Sequence, residues 1–487
     1  MFLGIDIGTA GVNAVLLSST AEIVETSHAP LSISRPRPGW SEQDPNAWWD
    51  ATQMAVTQFD ARYREQIQGI GLSGQMHGAT LLDANGDSLR PAILWNDGRS
   101  EIECADLQNQ HPEFLEKAGN LVMPGFTAPK LEWVRRHEPD IFEATRTVLL
   151  PKDYVRFCMS AEYASDMSDS AGTLWMDVAR RDWHDGLLDA CSLTRAHMPK
   201  LYEGTAQTGE LRGSIAKAWC LKRVPIYAGG GDNAAGALAV GVINTGDTLV
   251  SLGTSGVIFT ASDVYRSNPT SAVHAFCHAL PDRWHLMSVM LSAASCLDWA
   301  CKLTRTETVA ELIGLAETTK GEPISELFLP YLSGERTPHN SPNARGVFYG
   351  LSHDTGPAEL AQAVLEGVAF GLADGLDALV AGGAEIEALS VIGGGARSPY
   401  WGKILASALN RRLLYRDGGE VGPALGAARI AAHGVRGGAM EAAFAPPAIL
   451  FEVSPEATLV QHYFEKRAHF SNLYTQLQPS FAGNAHA

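Results

Sequence analysis

The chain has 487 residues, 45% hydrophobic and 19% charged, with 37 Lys and Arg against 54 Asp and Glu. At roughly 100–200 residues per domain this length holds several domains, and the composition excludes a disordered or collagen-like chain. A net charge of −17 repels a phosphate backbone, so no nucleic acid is expected as a partner; a small phosphorylated ligand held by backbone N–H groups stays open.

Seven cysteines are scattered, odd in number and without any C-x-x-C spacing. A cytoplasmic protein is therefore expected rather than a disulfide framework. The N-terminus reads M-F-L-G-I-D-I-G-T-A-G and carries neither a basic region nor a long apolar stretch, so no signal peptide is expected. No window approaches the roughly 18 apolar residues that a membrane span needs.

In chain order, Phe2 to Ile7 read as a buried strand, joined through the turn Gly8-Thr9-Ala10-Gly11 to a partner strand, Val12 to Leu17. Ile67 to Leu72 form another apolar run ending at Ser73-Gly74. Val224 to Ala228 end in Gly229-Gly230-Gly231, and Leu389 to Ile392 end in Gly393-Gly394-Gly395. Apolar runs that stop at glycines read as strands leaving a sheet for a tight turn. Ala-rich residues 361–383, interrupted by Gln362, Glu366 and Asp374, read as core helix, so the class is α/β.

One repeat stands out. Residues 7–12 are I-G-T-A-G-V and residues 252–257 are L-G-T-S-G-V, about half a chain apart, each between two apolar runs. Two related α/β domains follow, with a boundary near Asn244 to Asp247: residues 1–245 and 246–487. Ligands commonly bind in a cleft between such halves.

Several of these junctions can carry chemistry. Asp6 ends a strand beside the first glycine turn, where successive N–H groups can face one anion and a carboxylate can hold Mg²⁺. Gly253-Thr254-Ser255-Gly256 offers the same donors without the acid. Taken singly, each reads first as an ordinary tight turn; facing each other they would hold a polyphosphate. No Walker loop is present. Asp232, in Gly229-Gly230-Gly231-Asp232-Asn233, reads equally as a helix N-cap or as a general base. Gly394 and Gly395 permit close approach of a flat ring or ribose, and Gly422 to Ala428 should open a helix packed beneath that surface. His77, between Met76 and Gly78 after a buried strand, reads as a structural or a ligand-contacting residue. The loop Trp95-Asn96-Asp97-Gly98-Arg99 mixes an aromatic face with polar groups, which suits a polyhydroxylated ligand. Trp40, Trp48 and Trp49 read as packing residues.

With these residues in view, the chain resembles the FGGY carbohydrate kinases of the actin/hexokinase/Hsp70-like ATPase superfamily. One signature matches residues 125–134, G-F-T-A-P-K-L-E-W-V; the other runs from Gly346 to Leu351 and on through Glu359-Leu360 to Glu366. The resemblance implies two RNase H-like domains flanking a central cleft, an N-terminal sugar-binding one and a C-terminal nucleotide-binding one. It implies ATP and Mg²⁺ as cofactors, and a homodimer at the level of the family. By the same resemblance Asp232 is the catalytic base and Asp6 lies at the Mg²⁺-ATP site. Met76 and His77, with Asn233 and Asp232, would meet the sugar. Gly8, Thr9, Gly253, Thr254 and Ser255 would meet the phosphates, and Gly394 and Gly395 the adenosine. Segments 73–78, 94–99 and 41–45 are similar to the branch that acts on D-xylulose in xylose catabolism, phosphorylating O5. Glycerol-specific members carry Arg-Glu where Met76-His77 stand and Tyr where Gly125 stands, which argues against glycerol. Another pentulose or polyol is the alternative substrate. The stretch after about Phe444 matches no recognisable motif.

Overall fold

The strand Phe2–Ile7 (β1) is buried along its whole length, as a strand covered on both faces must be. In this computed structural model, which describes residues 1–319, 324–417 and 422–482, β1 pairs antiparallel with β2 (Gly11–Leu17), and β2 with β3 (Ile23–Pro30). On its other side β1 runs parallel to β4 (Ile70–Gly74). Outside β4 the sheet ends in β5 (Gln207–Glu210) and β6 (Pro225–Tyr227), in the order β5-β6-β4-β1-β2-β3. Past β6 the chain returns as β7 (Gly230–Gly231), parallel to the end of β4. Gly229 makes that return with φ 81°, and a Cβ there would stand 1.8 Å from Leu72 O, so only glycine fits.

A second seven-stranded sheet repeats the plan. It contains β8 (Thr248–Leu252), β9 (Gly256–Ser262), β10 (His274–Cys277), β11 (Trp284–Met290), β12 (Ala388–Ile392), β13 (Arg412–Arg416) and β14 (Ile449–Val453). Their order is β10-β11-β9-β8-β12-β13-β14. Here too a central strand has an antiparallel hairpin partner on one side, two parallel strands on the other, and an antiparallel edge beyond. The six-residue repeat therefore marks duplication of a whole sheet. Strand β14 comes from the stretch after Phe444, so the motif-free tail completes the second sheet.

Local signals set the helix starts. In α1 (Pro45–Gln58) proline takes the first turn and the Asp44 carboxylate accepts Asn46 N–H at 2.9 Å. Next come α2 (Pro151–Ser160), α3 (Asp232–Ala239), α4 (Ala294–Thr304) and α5 (Val309–Glu317). The Ala-rich run forms α6 (Pro357–Ala381), where Glu359 accepts Gly356 N–H at 2.9 Å. The last helices are α7 (Pro423–Arg436) and α8 (Ala457–Ala482).

The helix opened by Gly422 corrects one expectation. Rather than lying beneath the Gly394-Gly395 junction, α7 packs on the first sheet and against α3. A Cβ on Gly4 would stand 2.0 Å from Ala424 O, one on Gly71 1.9 Å from Ala427 O, and one on Gly426 1.8 Å from Ala235 O. Backbone meets backbone at all three, which is the physical reason for the small residues. All seven cysteines are unpaired, and among the described residues no helix is long and apolar enough to cross a membrane.

Candidate active site

Three parallel strand ends bring the two acids together. Asp6 of β1 is in register with Ser73 of β4, which is in register with Gly230 of β7; one step on, Ile7, Gly74 and Gly231 align. With strands about 4.8 Å apart, Asp6 and the following Asp232 border one crevice at the carboxyl ends of the sheet. The N-cap of α3 is Gly231, and Asp232 is the first helical residue, so its role is not that of a cap. Its Oδ1 accepts Asn233 N–H at 2.7 Å and Asn233 Nδ2–H at 2.8 Å. Asn233 is thus turned towards the acid. Burial pushes the Asp232 carboxyl up to about 6, against these hydrogen bonds. Burial and then the Asp232 charge push Asp6 up to about 7. A carboxylate poised near neutrality and half-buried in a cleft suits proton acceptance.

The two hairpin turns differ by one residue in how they close. Gly8 N–H donates to Gly11 O at 3.0 Å, and Gly253 N–H to Ser255 O at 3.1 Å. In each, the next two N–H groups, on Thr9 and Ala10 and on Thr254 and Ser255, have no acceptor among the described residues. The first turn is braced through its threonine: Thr9 Oγ1 donates to Gln75 Oε1 at 2.9 Å and accepts Trp95 Nε1–H at 3.0 Å. Hence Thr9 offers a ligand its backbone, not its hydroxyl. The second is braced by α4, whose Ala294 N–H donates to Gly253 O at 2.9 Å.

Met76 and His77 lie side by side beyond the end of β4. Met76 packs over Gly231, where a Cβ would meet its Sδ at 2.9 Å. His77 adopts φ 69°, a conformation His tolerates better than most residues. Its Nδ1 is 2.7 Å from Gly172 O. A carbonyl only accepts, so Nδ1 carries the proton and Nε2 keeps its lone pair for a ligand hydroxyl. Burial, then the Lys130 charge, lowers His77 to about 3, so the ring is neutral. Lys130 is itself buried and spent on structure, donating to His77 O at 2.9 Å and Gly125 O at 2.8 Å.

A cavity of about 680 Å³ joins Gly253, Thr254, Gly394 and Gly395. Its wall also includes Val309 and Ile313 of α5, Leu297 and Asp298 of α4, and Ser398, Pro399 and Trp401 beyond the glycine junction. Sequence reasoning missed both helices; their only signal was an amphipathic period shared with any surface helix. Ser255, Gly8 and Thr9 lie outside this wall.

Another cavity, of about 710 Å³, separates the loop bearing Trp95 and Asn96 from a segment of the second half bearing Glu335 and Arg336. The expectation that the whole 95–99 loop offers polar groups to a ligand needs correction. Arg99 pairs with Asp97 and with Glu42, each at 2.7 Å, and stacks over Trp40 at 3.7 Å, so those charges are spent internally. Trp48 is fully buried, in line with a packing role.

Asp6 fits a magnesium ligand. Its Oδ1 is buried without a hydrogen-bond partner, and an adjacent cation would offset the cost of its ionisation. No cluster of three or more His, Cys, Asp or Glu suited to a metal occurs among the described residues. Mg²⁺ needs none, being held by one or two carboxylates with substrate phosphates and water.

Residues 1–239 match the N-terminal domain of the FGGY family of carbohydrate kinases, and residues 248–435 match its C-terminal domain. A xylulose kinase of Escherichia coli (strain K12) is 53% identical over 493 residues, covering 99% of this chain and 100% of the relative. The crystal structure of a xyloylose kinase from Brucella ovis, 48% identical, superposes with a TM-score of 0.94 over 98% of this chain and 99% of that one. That of a xylulose kinase from Rhodospirillum rubrum, 29% identical, gives 0.91 over 99% of both.

Proposed function

The chain belongs to the FGGY family of carbohydrate kinases, and from that premise we propose that it transfers the γ-phosphoryl group of ATP to O5 of D-xylulose. The observation that carries this reading is the register of Asp6, Ser73 and Gly230, which sets both carboxylates at one crevice. The xylulose kinases at 53% and 48% identity support the choice of sugar. Unpaired cysteines suit the reducing cytoplasm.

In this reading residues 1–245 bind the sugar and residues 246–487 the nucleotide. Asp232 accepts the O5 proton as the oxygen attacks phosphorus. Met76 and the lone pair of His77 Nε2 hold the sugar, and Asn233 orients Asp232 through its two hydrogen bonds to Oδ1. The free N–H pairs of the two turns meet the phosphate oxygens, and Gly394 and Gly395 lie against the adenosine. Asp6 would hold Mg²⁺, which when bound supplies positive charge to the phosphates. Phosphoryl transfer depends mainly on positioning and electrostatics, so the halves should close over both substrates.

A coupled ADP-release assay over ketopentoses and polyols, with the product's phosphate located by NMR, tests the proposal. D-xylulose should give the highest kcat/KM and a 5-phosphate. A higher value for another ketopentose or a polyol would overturn the choice of sugar.

A further inference from the structure

We propose that Arg336, carried by the second half of the chain, is a specificity-determining residue that reads the keto end of the pentulose; this rests on the function proposed above. Its backbone is fixed on both sides. Glu335 Oε1 accepts Arg336 N–H at 2.7 Å and Leu291 N–H at 3.0 Å. Thr337 Oγ1 donates to Ala272 O at 2.9 Å and accepts Val289 N–H at 3.0 Å. The side chain is thereby presented to the 710 Å³ cavity between the halves.

Among the described residues no carboxylate pairs with this guanidinium. Asp97, which lines the same cavity, is taken by Arg99 and by Ser41 N–H, and Glu335 is turned to backbone N–H groups. The side-chain neighbour of Arg336 is His274, whose Nε2 is 3.5 Å from Nη1, a long contact. Burial holds the Arg336 pKa below its usual value, as expected for a cation short of partners. Arg336 is half-buried and lines the cavity, so its donors are open to that space, and a ligand rich in oxygen is the matching occupant.

The neighbours give the direction in which the sugar lies. Met76 packs over Gly231, next to Asp232. His77 follows Met76 and meets Phe126 edge-to-face at 4.8 Å; Phe126 meets His274 at 5.4 Å, and His274 borders Arg336. A Cβ on Gly125 would stand 2.7 Å from Trp95 O, which is what requires glycine there, and 3.5 Å from Arg336 Nη2, an ordinary contact that sets the guanidinium beside this turn. With O5 at Asp232, the C1–C2 end extends past His77 towards Arg336, with the buried rings of Phe126 and His274 packed behind. The chemistry matches at each station. Nε2 of His77 only accepts and suits a hydroxyl; arginine only donates and suits the C2 carbonyl, which only accepts, together with O1. Because Arg336 and His77 belong to different halves, one sugar spans both.

The test uses Arg336→Met, which keeps the apolar stem and removes every donor, and Arg336→Lys, which keeps the charge without the fork. Each is assayed with D-xylulose and 1-deoxy-D-xylulose, alongside KM for ATP and the melting temperature. For Arg336→Met, kcat/KM on D-xylulose should fall about 30–100-fold, the scale of lost hydrogen bonds at a buried site. Preference for D-xylulose over the 1-deoxy sugar should shrink at least about fivefold, with KM for ATP little moved. Arg336→Lys should fall between. A variant that loses both sugars equally, or keeps wild-type preference, overturns the assignment of Arg336 alone. Wild-type enzyme that phosphorylates no pentulose overturns the proposed function and Arg336 with it.

Discussion

Ser168 Oγ accepts the backbone N–H of Gly231 at 3.1 Å, from a position fully buried behind the crevice. Asp166 Oδ2 in turn accepts Ser168 N–H at 2.7 Å, and Lys152 Nζ of α2 lies 2.7 Å from Asp166 Oδ1. The turn that sets Asp232 at the start of α3 is therefore held from beneath by a buried polar chain.

Removing the hydroxyl should be felt at the acid. Ser168→Ala leaves Gly231 N–H buried without an acceptor, a cost of about 1–3 kcal/mol. Part appears as a lower melting temperature and part as a displaced Asp232, so kcat should fall about tenfold while KM for ATP holds. An unchanged kcat beside a lowered melting temperature would limit Ser168 to stability.

Asp232→Asn keeps the shape and loses the proton acceptor. We expect kcat to drop at least about 10²-fold, the usual scale for general base catalysis. Slow ATP hydrolysis in the absence of sugar should vanish too, since water would use the same base. Turnover near the wild-type rate would remove Asp232 from the mechanism.

The pH profile follows from the raised carboxyl. Asp232, at about 6 instead of its ordinary 3.8, is protonated and inactive as a base below that pH and ionised above it. Plots of kcat/KM for the sugar should rise through about pH 6 and level off at higher pH. The sign for stability is opposite to that of a salt-bridged acid. A folded pKa above the unfolded one makes the carboxyl's contribution relatively unfavourable as pH climbs past 3.8 towards 6, and constant beyond. His77, near 3, adds no limb at neutral pH. A flat profile from pH 5 to 7, roughly one unit either side of the expected pKa, would contradict this.

His77→Asn suits the positive φ, which Asn tolerates, but removes the ring nitrogen assigned to the sugar. KM for the sugar should rise about tenfold, within the range for one lost hydrogen bond at a buried site, with little change for ATP. Movement of the ATP constant alone would assign this loop to the nucleotide.

Gly426→Ala tests the seam between the halves. The added Cβ would lie 1.8 Å from Ala235 O, so α7 must move away from α3. Overpacking of this kind costs about 1–3 kcal/mol and sometimes more, enough to lower the melting temperature by several degrees. Because α3 begins at Asp232, kcat should fall with it. A variant with wild-type melting behaviour would show that the helices can part without cost.

Features carried by short, local patterns could be read from the chain before any packing was known. The glycine-bounded apolar runs became β1, β4, β6 and β12, because a strand's period and its terminating turn are both written within a few residues. The repeat around Gly8 and Gly253 marks a duplication that the two sheets share at six strand positions, from the antiparallel edge to the strand beyond the hairpin. Asp6, Met76, His77 and Asp232 could be singled out as candidates because each stands beside a glycine-marked strand end. Tertiary structure alone decided the rest. It gave α7 to the first sheet, since nothing within P-A-L-G-A-A says which backbone its small residues will meet. It spent Asp97 and Arg99 on each other, and it brought α5 to the cavity wall. It also set Arg336 beside a wall whose other members lie some 60 to 260 residues earlier, at His274, Phe126 and His77. Contacts between residues so far apart depend on how whole sheets pack, and no local pattern in the chain encodes that packing.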